Sequence, residues 1–159
     1  FYRNSFTDMA SKTLAKNRKA RFEYEIQKTM EVGIVLLGTE VKSVRAGQIN
    51  LAESYCRVDD TLQVYLLNAH ISQYDFGNRH NHEPLRPRRL LLHRSEIRRL
   101  YGQVKEQGLT LIPLKIYLKG GIMKMEIALG RGKKLHDKRQ TMKKRDAQRE
   151  VERALSERT

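Results

Sequence analysis

Apolar and polar positions alternate with two different periods along this chain, and the switches between them predict its elements. From Asn17 the text reads NRKARFEYEI, with Phe22, Tyr24 and Ile26 alternating with Glu23 and Glu25. That period of two predicts a half-buried strand. Val32 to Leu37 is a short apolar run around Gly33, which predicts a second strand or a continuation past a bend. Gly38-Thr39 then opens a short helix, with Thr39 as N-cap and Glu40 in the first turn, where a negative charge suits the dipole. Val41 and Val44 share one face of it, and Gly47 closes it. Ser54 to Val58 and Leu62 to Leu67 predict two strands around Asp59-Asp60. Residues 74 to 89 form a long loop of Asn, Pro, Arg and His, a length that is usually functional or disordered. Leu90 to Leu92 leads into the clearest helix, 94 to 107. There Ile97, Leu100, Tyr101 and Val104 keep helical spacing and Gly108 ends it. The clearest hairpin spans 109 to 129. Ile112, Leu114, Ile116 and Leu118 line one face, and Met123, Met125, Ile127 and Leu129 another, around the turn Lys119-Gly120-Gly121. Pro113 cannot donate a ladder bond, so it belongs at an edge or a bulge.

This order contains no alternation of strand and helix around a Gly-rich phosphate loop, and no internal repeat. About six short strands with two helices predict a mainly β fold, a small closed barrel of the oligonucleotide-binding type. Residues 1–16 are polar and aperiodic, and are expected to form a flexible N-terminal segment. The barrel domain is placed at 17–130 and a basic tail at 131–159. Met9 is a plausible natural start.

The tail changes the picture most. Residues 131–159 carry eleven Lys or Arg against five Asp or Glu, with Leu135, Met142, Val151 and Leu155 as the large apolar residues. So charged a segment buries too little apolar surface to offset its ordering entropy, and it is expected to be disordered in isolation. Yet no helix breaker follows Gly132, and Ala147, Val151, Ala154 and Leu155 recur at helical spacing. It reads as a segment that becomes a helix on a partner.

The net charge of +14 makes that partner a polyanion, with nucleic acid ahead of an anionic membrane surface. No apolar run approaches the ~20 residues needed to span a bilayer, and no apolar signal-peptide core stands at the N-terminus. A single cysteine, Cys56, excludes an internal disulfide and fits a reducing compartment; in an apparent strand it reads as a small core residue.

Candidate chemistry narrows the class further. His80 and His82 stand two apart, with His70 and His93 elsewhere, and none has the Cys, Asp or Glu companions of a zinc site. They read as solvated or RNA-stacking rings, and no metal or cofactor is expected. Glu23, Glu25, Glu31 and Glu40 pair with no His or Lys in a recognisable acid/base motif, so no enzyme is expected. Four basic clusters remain: Lys42 with Arg45; Arg86, Arg88 and Arg89; Lys119 with Lys124; and Arg131, Lys133 and Lys134. On a small barrel, with Tyr and His between them, they point to nucleic-acid contact.

Several of these runs resemble one family. Asn17-Arg18-Lys19-Ala20-Arg21-Phe22-Glu23-Tyr24 resembles the start of the SsrA-binding, or small protein B, family, the partners of bacterial transfer-messenger RNA. The likeness continues through Gly38 to Gly47, Asn78 to His82, Pro84 to Arg88, Leu90 to His93, Gly130 to Lys134 and Asp137-Lys138-Arg139, and covers about residues 12 to 158. It implies a six-stranded antiparallel closed barrel with two or three helices packed on it. It implies an RNA-binding adaptor of trans-translation. Such a protein binds the tRNA-like domain of transfer-messenger RNA and delivers it to stalled ribosomes, so that the nascent chain is tagged and the ribosome rescued. The implied partners are that RNA, the small ribosomal subunit with its rRNA and the elongation factor carrying the charged RNA, in the cytoplasm, with neither membrane nor DNA.

Position by position, the resemblance implies RNA contact at Glu31, Leu91, His93 and Gly132, with Arg21 and Phe22 in the first run. Phe22 stands where the family often has His. A carboxylate such as Glu31 repels phosphate, so it either accepts a hydrogen bond from a base or ribose, which is the favoured reading, or fixes a neighbouring Arg. In the tail, Asp137, Lys138 and Arg139 match the motif required for tagging. His136 is placed to stack at the decoding centre, and Lys143, Lys144, Arg145 and Arg149 extend the ribosome-binding charge. The competing expectation is a constitutive ribosomal protein whose basic tail threads rRNA.

Overall fold

The computed structural model describes residues 11–77 and 80–157; Met9 and Asn78 lie outside them. The elements run β1 (Lys12–Lys16), α1 (Ala20–Glu23), β2 (Tyr24–Ile34), α2 (Gly38–Arg45), β3 (Ile49–Asn50), β4 (Tyr55–Val58), β5 (Val64–Leu67), β6 (His70–Ile71), β7 (Arg88–Leu91), α3 (Arg94–Gln107), β8 (Thr110–Lys119), β9 (Ile122–Gly132) and α4 (Leu135–Glu157). The fold is a mainly antiparallel β-sheet with helices. Seven strands form one sheet in the order β1-β8-β4-β5-β7-β2-β9, β8 also pairs with β9, and β3 pairs with β6. The main core gathers Val32 and Ile34 of β2, Val64 and Leu66 of β5, Leu90 of β7, Ile97 and Leu100 of α3, and Met125, Ile127 and Leu129 of β9.

The 94–107 helix and the hairpin form where the period of the sequence places them. Gly108 ends α3 in the left-handed region at φ 63°, and Gly120 and Gly121 turn the hairpin at φ 58° and 75°. Pro113 sits at a bulge: it pairs with Ile127, while the next pair is Lys115 with Glu126, leaving Leu114 extra. The bulge reverses the alternation. Ile112 and Leu114 therefore face a second cluster with Ala20 and Ala128, and Ile116 returns to the main core, so the single face expected of Ile112, Leu114, Ile116 and Leu118 is split.

Four local expectations are corrected. Residues 12–16 are not a loose lead-in but a strand on the edge of β8. Phe22 lies in a helical turn, not a strand, because the amides of Phe22 and Glu23 bond to the Lys19 carbonyl; this turn seats buried Ala20. Leu62 is not in a strand: Asp59 accepts from the amides of Thr61 and Gln63, and Leu62 takes φ 59°. Leu37, not Thr39, caps α2, since the Glu40 carboxylate accepts the Leu37 amide at 2.8 Å.

Thr39 instead pairs with His82. The His82 ring is buried, with Nδ1 2.9 Å from the Thr39 hydroxyl and Nε2 2.8 Å from the Ile71 carbonyl, so it pins residues 80–87 against α2 and β6 and is not a solvated or stacking ring. Arg88 likewise leaves the basic surface. It is wholly buried, bonds Glu40 at 2.5 Å and the Ala69 carbonyl at 2.6 Å, and Arg86 reaches the same carboxylate at 2.5 Å. Burial opposes ionisation of Glu40, but the hydrogen bonds from Arg86, the Leu37 amide and Arg88 outweigh it and hold the carboxyl below its usual range.

The tail, expected to be disordered alone, is an α-helix of 23 residues with no buried side chain among those described. Its sequence has few β-branched residues and no breaker to oppose that. Its start is tethered. The Lys133 amide bonds to the Glu23 carbonyl at 2.8 Å, and the Lys133 ammonium donates to the Arg21 carbonyl at 2.9 Å and the Thr141 hydroxyl at 2.8 Å.

Candidate nucleic-acid interface

Three surfaces collect the residues singled out by sequence. The first is the outward face of β7, β2, β9 and β8. On β2 the even positions Val32 and Ile34 face the core, so Glu31 and Gly33 face out, as does Val35 just past the strand. Gly33 lies opposite Leu91 across the ladder, and a Cβ at Gly33 would come 3.1 Å from Leu91 Cβ. Glycine is what lets Leu91 lie flat over β2 while remaining about half exposed. His93, at the N-cap position of α3, is exposed, and its side chain makes no cap bond.

Glu31 meets two groups of its own face. It accepts from the Tyr117 hydroxyl, and the Lys119 ammonium lies 3.4 Å from it. The Tyr117 hydrogen bond holds the Glu31 carboxyl below its usual range, against the cost of partial burial and with help from Lys119 and Lys124. Burial and the adjacent carboxylate push the Tyr117 phenol up. Glu31 thus holds a neighbouring cation, a lysine where the sequence led to an arginine. The carboxylate orders Lys119, which faces solvent alongside Lys124. Tyr117 was missed because its partner is 86 positions away.

The second surface is α2 with the following loop. Lys42 and Arg45 are both exposed, and the Lys42 ammonium sits 5.1 Å from the Tyr74 ring centroid. Tyr74 meets Phe76 edge-on at 5.5 Å, and Phe76 is 79 % exposed. Sequence reasoning passed over Phe76; an aromatic in a polar loop beside a basic pair was the available signal.

The third surface is the junction of body and tail. Gly132 lies opposite Tyr24 and Arg131 opposite Glu25, both exposed. Phe22 is half-buried, and two tail cations stand over its ring, Lys138 and Arg145, each 5.9 Å from the centroid. Lys134, His136, Asp137, Arg139, Lys143, Lys144 and Arg149 are exposed along the helix or its lead. The β2–β9 ladder separates the first and third surfaces, running from Tyr24 opposite Gly132 to Gly33 opposite Lys124. At ~3.3 Å per residue that is about 30 Å of strand. The sequence-predicted residues therefore lie in at least two separate groups rather than one. Among the described residues, no helix is long and apolar enough to cross a membrane.

Comparison with known proteins places the chain in a family. Residues 14–157 match the family model described as SmpB protein. The SsrA-binding protein of Geobacillus sp. (strain WCH70) is 56% identical over 147 residues, covering 92% of this chain and 94% of that one. The SsrA-binding protein of Alkaliphilus metalliredigens (strain QYMF) is 52% identical over 151 residues, with 95% and 96% covered. A chain of the solved structure "tmRNA-SmpB: a journey to the center of the bacterial ribosome" superposes with a TM-score of 0.64 at 48% identity, covering 78% of this chain and 87% of that one. With the family model spanning nearly the whole chain and relatives more than half identical across it, this chain belongs to the SmpB protein family.

Proposed function

We propose that this chain is an RNA-binding adaptor of trans-translation. It binds the tRNA-like domain of transfer-messenger RNA through its body and brings that RNA to stalled ribosomes, where the tail engages the decoding centre and the empty mRNA channel. The observation that carries this reading is the separation of two basic surfaces along one β-ladder, one at the Glu31 end and one at the tail, in a member of this family. A molecule with two RNA-facing ends suits an adaptor that joins two RNAs.

The pairings β8-β4-β5-β7-β2-β9, joined by β8 with β9, support a six-stranded barrel as the rigid body, residues 17–130, with 131–159 as a separate functional unit. On that body Leu91, His93, Lys119 and Lys124, ordered by Glu31, meet one RNA loop, and Lys42 with Arg45 contact backbone phosphates. Arg21, Phe22, Arg131, Gly132, Lys133 and Lys134 bind RNA at the junction. His136, Asp137, Lys138 and Arg139, followed by Lys143, Lys144, Arg145 and Arg149, work on the ribosome. The tail helix lets go of the body when ribosomal RNA offers it phosphates, and it exchanges one ordered state for another. The elongation factor that carries charged RNA is the third partner, the site of action is the cytoplasm, and the role is adaptor rather than catalyst.

Truncation before Leu135 tests the division of labour. Affinity for the tRNA-like domain is expected to fall by no more than about fivefold, because the body keeps its own cations while the tail's share at the junction is lost, and tagging on stalled ribosomes is abolished. Collapse of RNA affinity would refute the two-site reading. Sucrose-gradient fractionation checks the class: an adaptor is substoichiometric and enriched on stalled ribosomes, whereas a constitutive ribosomal protein sits on every ribosome at high salt.

A further inference from the structure

Between β1, α1 and α4 lies a groove of about 280 Å³. Five cations line it: Lys16, Arg18, Arg21 and Lys115 from the body, and Arg145 from the tail helix. Glu126 is the carboxylate in its lining, and Lys115 already lies 3.9 Å from it. Lys16, Arg18, Arg21 and Arg145 form no ion pair with any described residue. Like charges gathered around one space repel one another, and a bound anion relieves that repulsion.

The same wall holds Asn17, only 9 % exposed. Its amide nitrogen donates to the Pro113 carbonyl at 2.9 Å, which fixes the amide orientation, since a flipped amide would set oxygen against oxygen. Its Oδ1 is then a buried acceptor with no partner among the described residues. A buried acceptor of this kind calls for a donor. A bare phosphodiester satisfies the cations and leaves Asn17 unmet. A ligand that satisfies both carries phosphodiester charges with a hydroxyl donor beside them. RNA has that pair, and DNA lacks the 2′-hydroxyl.

We propose that this groove is a ribose-phosphate site, in which the cations hold the backbone of an RNA strand and Asn17 Oδ1 accepts a hydrogen bond from a 2′-hydroxyl. The inference rests on the RNA-adaptor reading and extends it to Lys16, Asn17, Arg18 and Lys115, which that reading leaves without a task. It also couples ligand to tail. Arg145 is the tail's contribution to the groove, so an RNA strand lying there holds α4 against the body until the tail engages its own ribosomal site. An empty groove leaves Arg145 among like charges, held by the Phe22 ring.

The test uses the full chain and three short single-stranded probes of one sequence: an oligoribonucleotide, its deoxy counterpart and its 2′-O-methyl counterpart. Fluorescence anisotropy is expected to give roughly tenfold tighter binding of the ribo form than of either substituted form, the equivalent of one well-made hydrogen bond. Arg18→Ala and Arg145→Ala are each expected to weaken all three probes about equally, by roughly fivefold, and to flatten the salt dependence. Asn17→Ala is expected to reduce the ribo preference to near unity. The substituted probes ask the same question of the unaltered protein, so a poorly folding Asn17 variant does not decide the matter. Equal affinity for ribo and deoxy probes, or unchanged binding by both arginine variants, would overturn the site. Repeating the arginine variants with the isolated tRNA-like domain and with small ribosomal subunits distinguishes the two RNA sources, the weakened arm naming the occupant. If both RNAs bind the wild type and neither arm weakens, the groove inference fails alone. If the wild type does not bind the tRNA-like domain, the adaptor reading itself fails.

Discussion

Glu40 and Arg88 are ionised partners with no solvent exposure, so each is stable only in the presence of the other. Glu40→Ala would leave Arg88 buried without its counter-charge. The expected cost is about 3–5 kcal/mol, read as a lower urea midpoint. The pH dependence has a definite sign. The folded state holds the Glu40 carboxyl below its usual range, so its contribution is complete above the pKa of the unfolded chain and is lost as pH falls through the folded pKa. Wild type should therefore lose stability on acidification across that window more steeply than Glu40→Ala, and parallel curves would refute the assignment. Arg88 remains charged throughout, although burial draws its pKa down. On the outward face of β2 and β8, Tyr117→Phe removes the leading cause of the low Glu31 pKa. The Glu31 carboxyl should then titrate nearer the ordinary glutamate range by carbon-detected NMR. An unmoved titration would mean that Lys119 and Lys124 hold it without the phenol.

At the scale of elements, the parts legible in the sequence are those whose information is local. α3 announced itself by apolar spacing and Gly108, and the hairpin by alternation on both sides of Gly120-Gly121. The parts that stayed hidden depend on distant partners. β1 has no alternation of its own and exists because β8 offers an edge. α1 interrupts an alternating run because Ala20 must reach a cluster more than 90 positions away. The Glu40–Arg88 pair spans 48 positions, so Arg88 read as one more surface cation. The candidate sites followed the same rule. The cations of the tail and of α2 were legible as charge, whereas Tyr117 under Glu31 and Arg145 over Phe22 needed the fold. The tail helix gives this a measurable form. It has no buried residue, and Phe22 faces two of its cations, each contact worth about 0.5–1 kcal/mol at an exposed site. Phe22→Ala should therefore lower helical ellipticity and amide protection in 135–157 while leaving the protection of β2 and β9 intact. Unchanged protection in the tail would show that helix propensity alone sustains it.

At the scale of the whole molecule, charge and shape act together. The tail carries eleven cations against five carboxylates, and the body is basic as well, so electrostatics alone would let either end bind either RNA. What would separate their roles in the proposed adaptor is form. The body presents fixed side chains on paired strands, and the tail presents a rod of 23 residues, about 35 Å long at 1.5 Å per residue. If the rod matters, and not merely its charge, breaking it without altering the charge should divide the two activities. Ala147→Pro lies mid-helix, removes the hydrogen bond to the Lys143 carbonyl and costs roughly 3 kcal/mol of helix stability. Ala147→Gly costs about 1 kcal/mol and Ala147→Leu almost nothing, so the three variants form a graded series at constant charge. Tagging of stalled nascent chains should fall in the order Leu, Gly, Pro, while affinity for the tRNA-like domain changes by no more than the roughly fivefold that Arg145 contributes. Level tagging would mean that the tail works as a flexible polycation, and a larger fall in affinity with helicity would mean that the tail as a whole belongs to the body's RNA site.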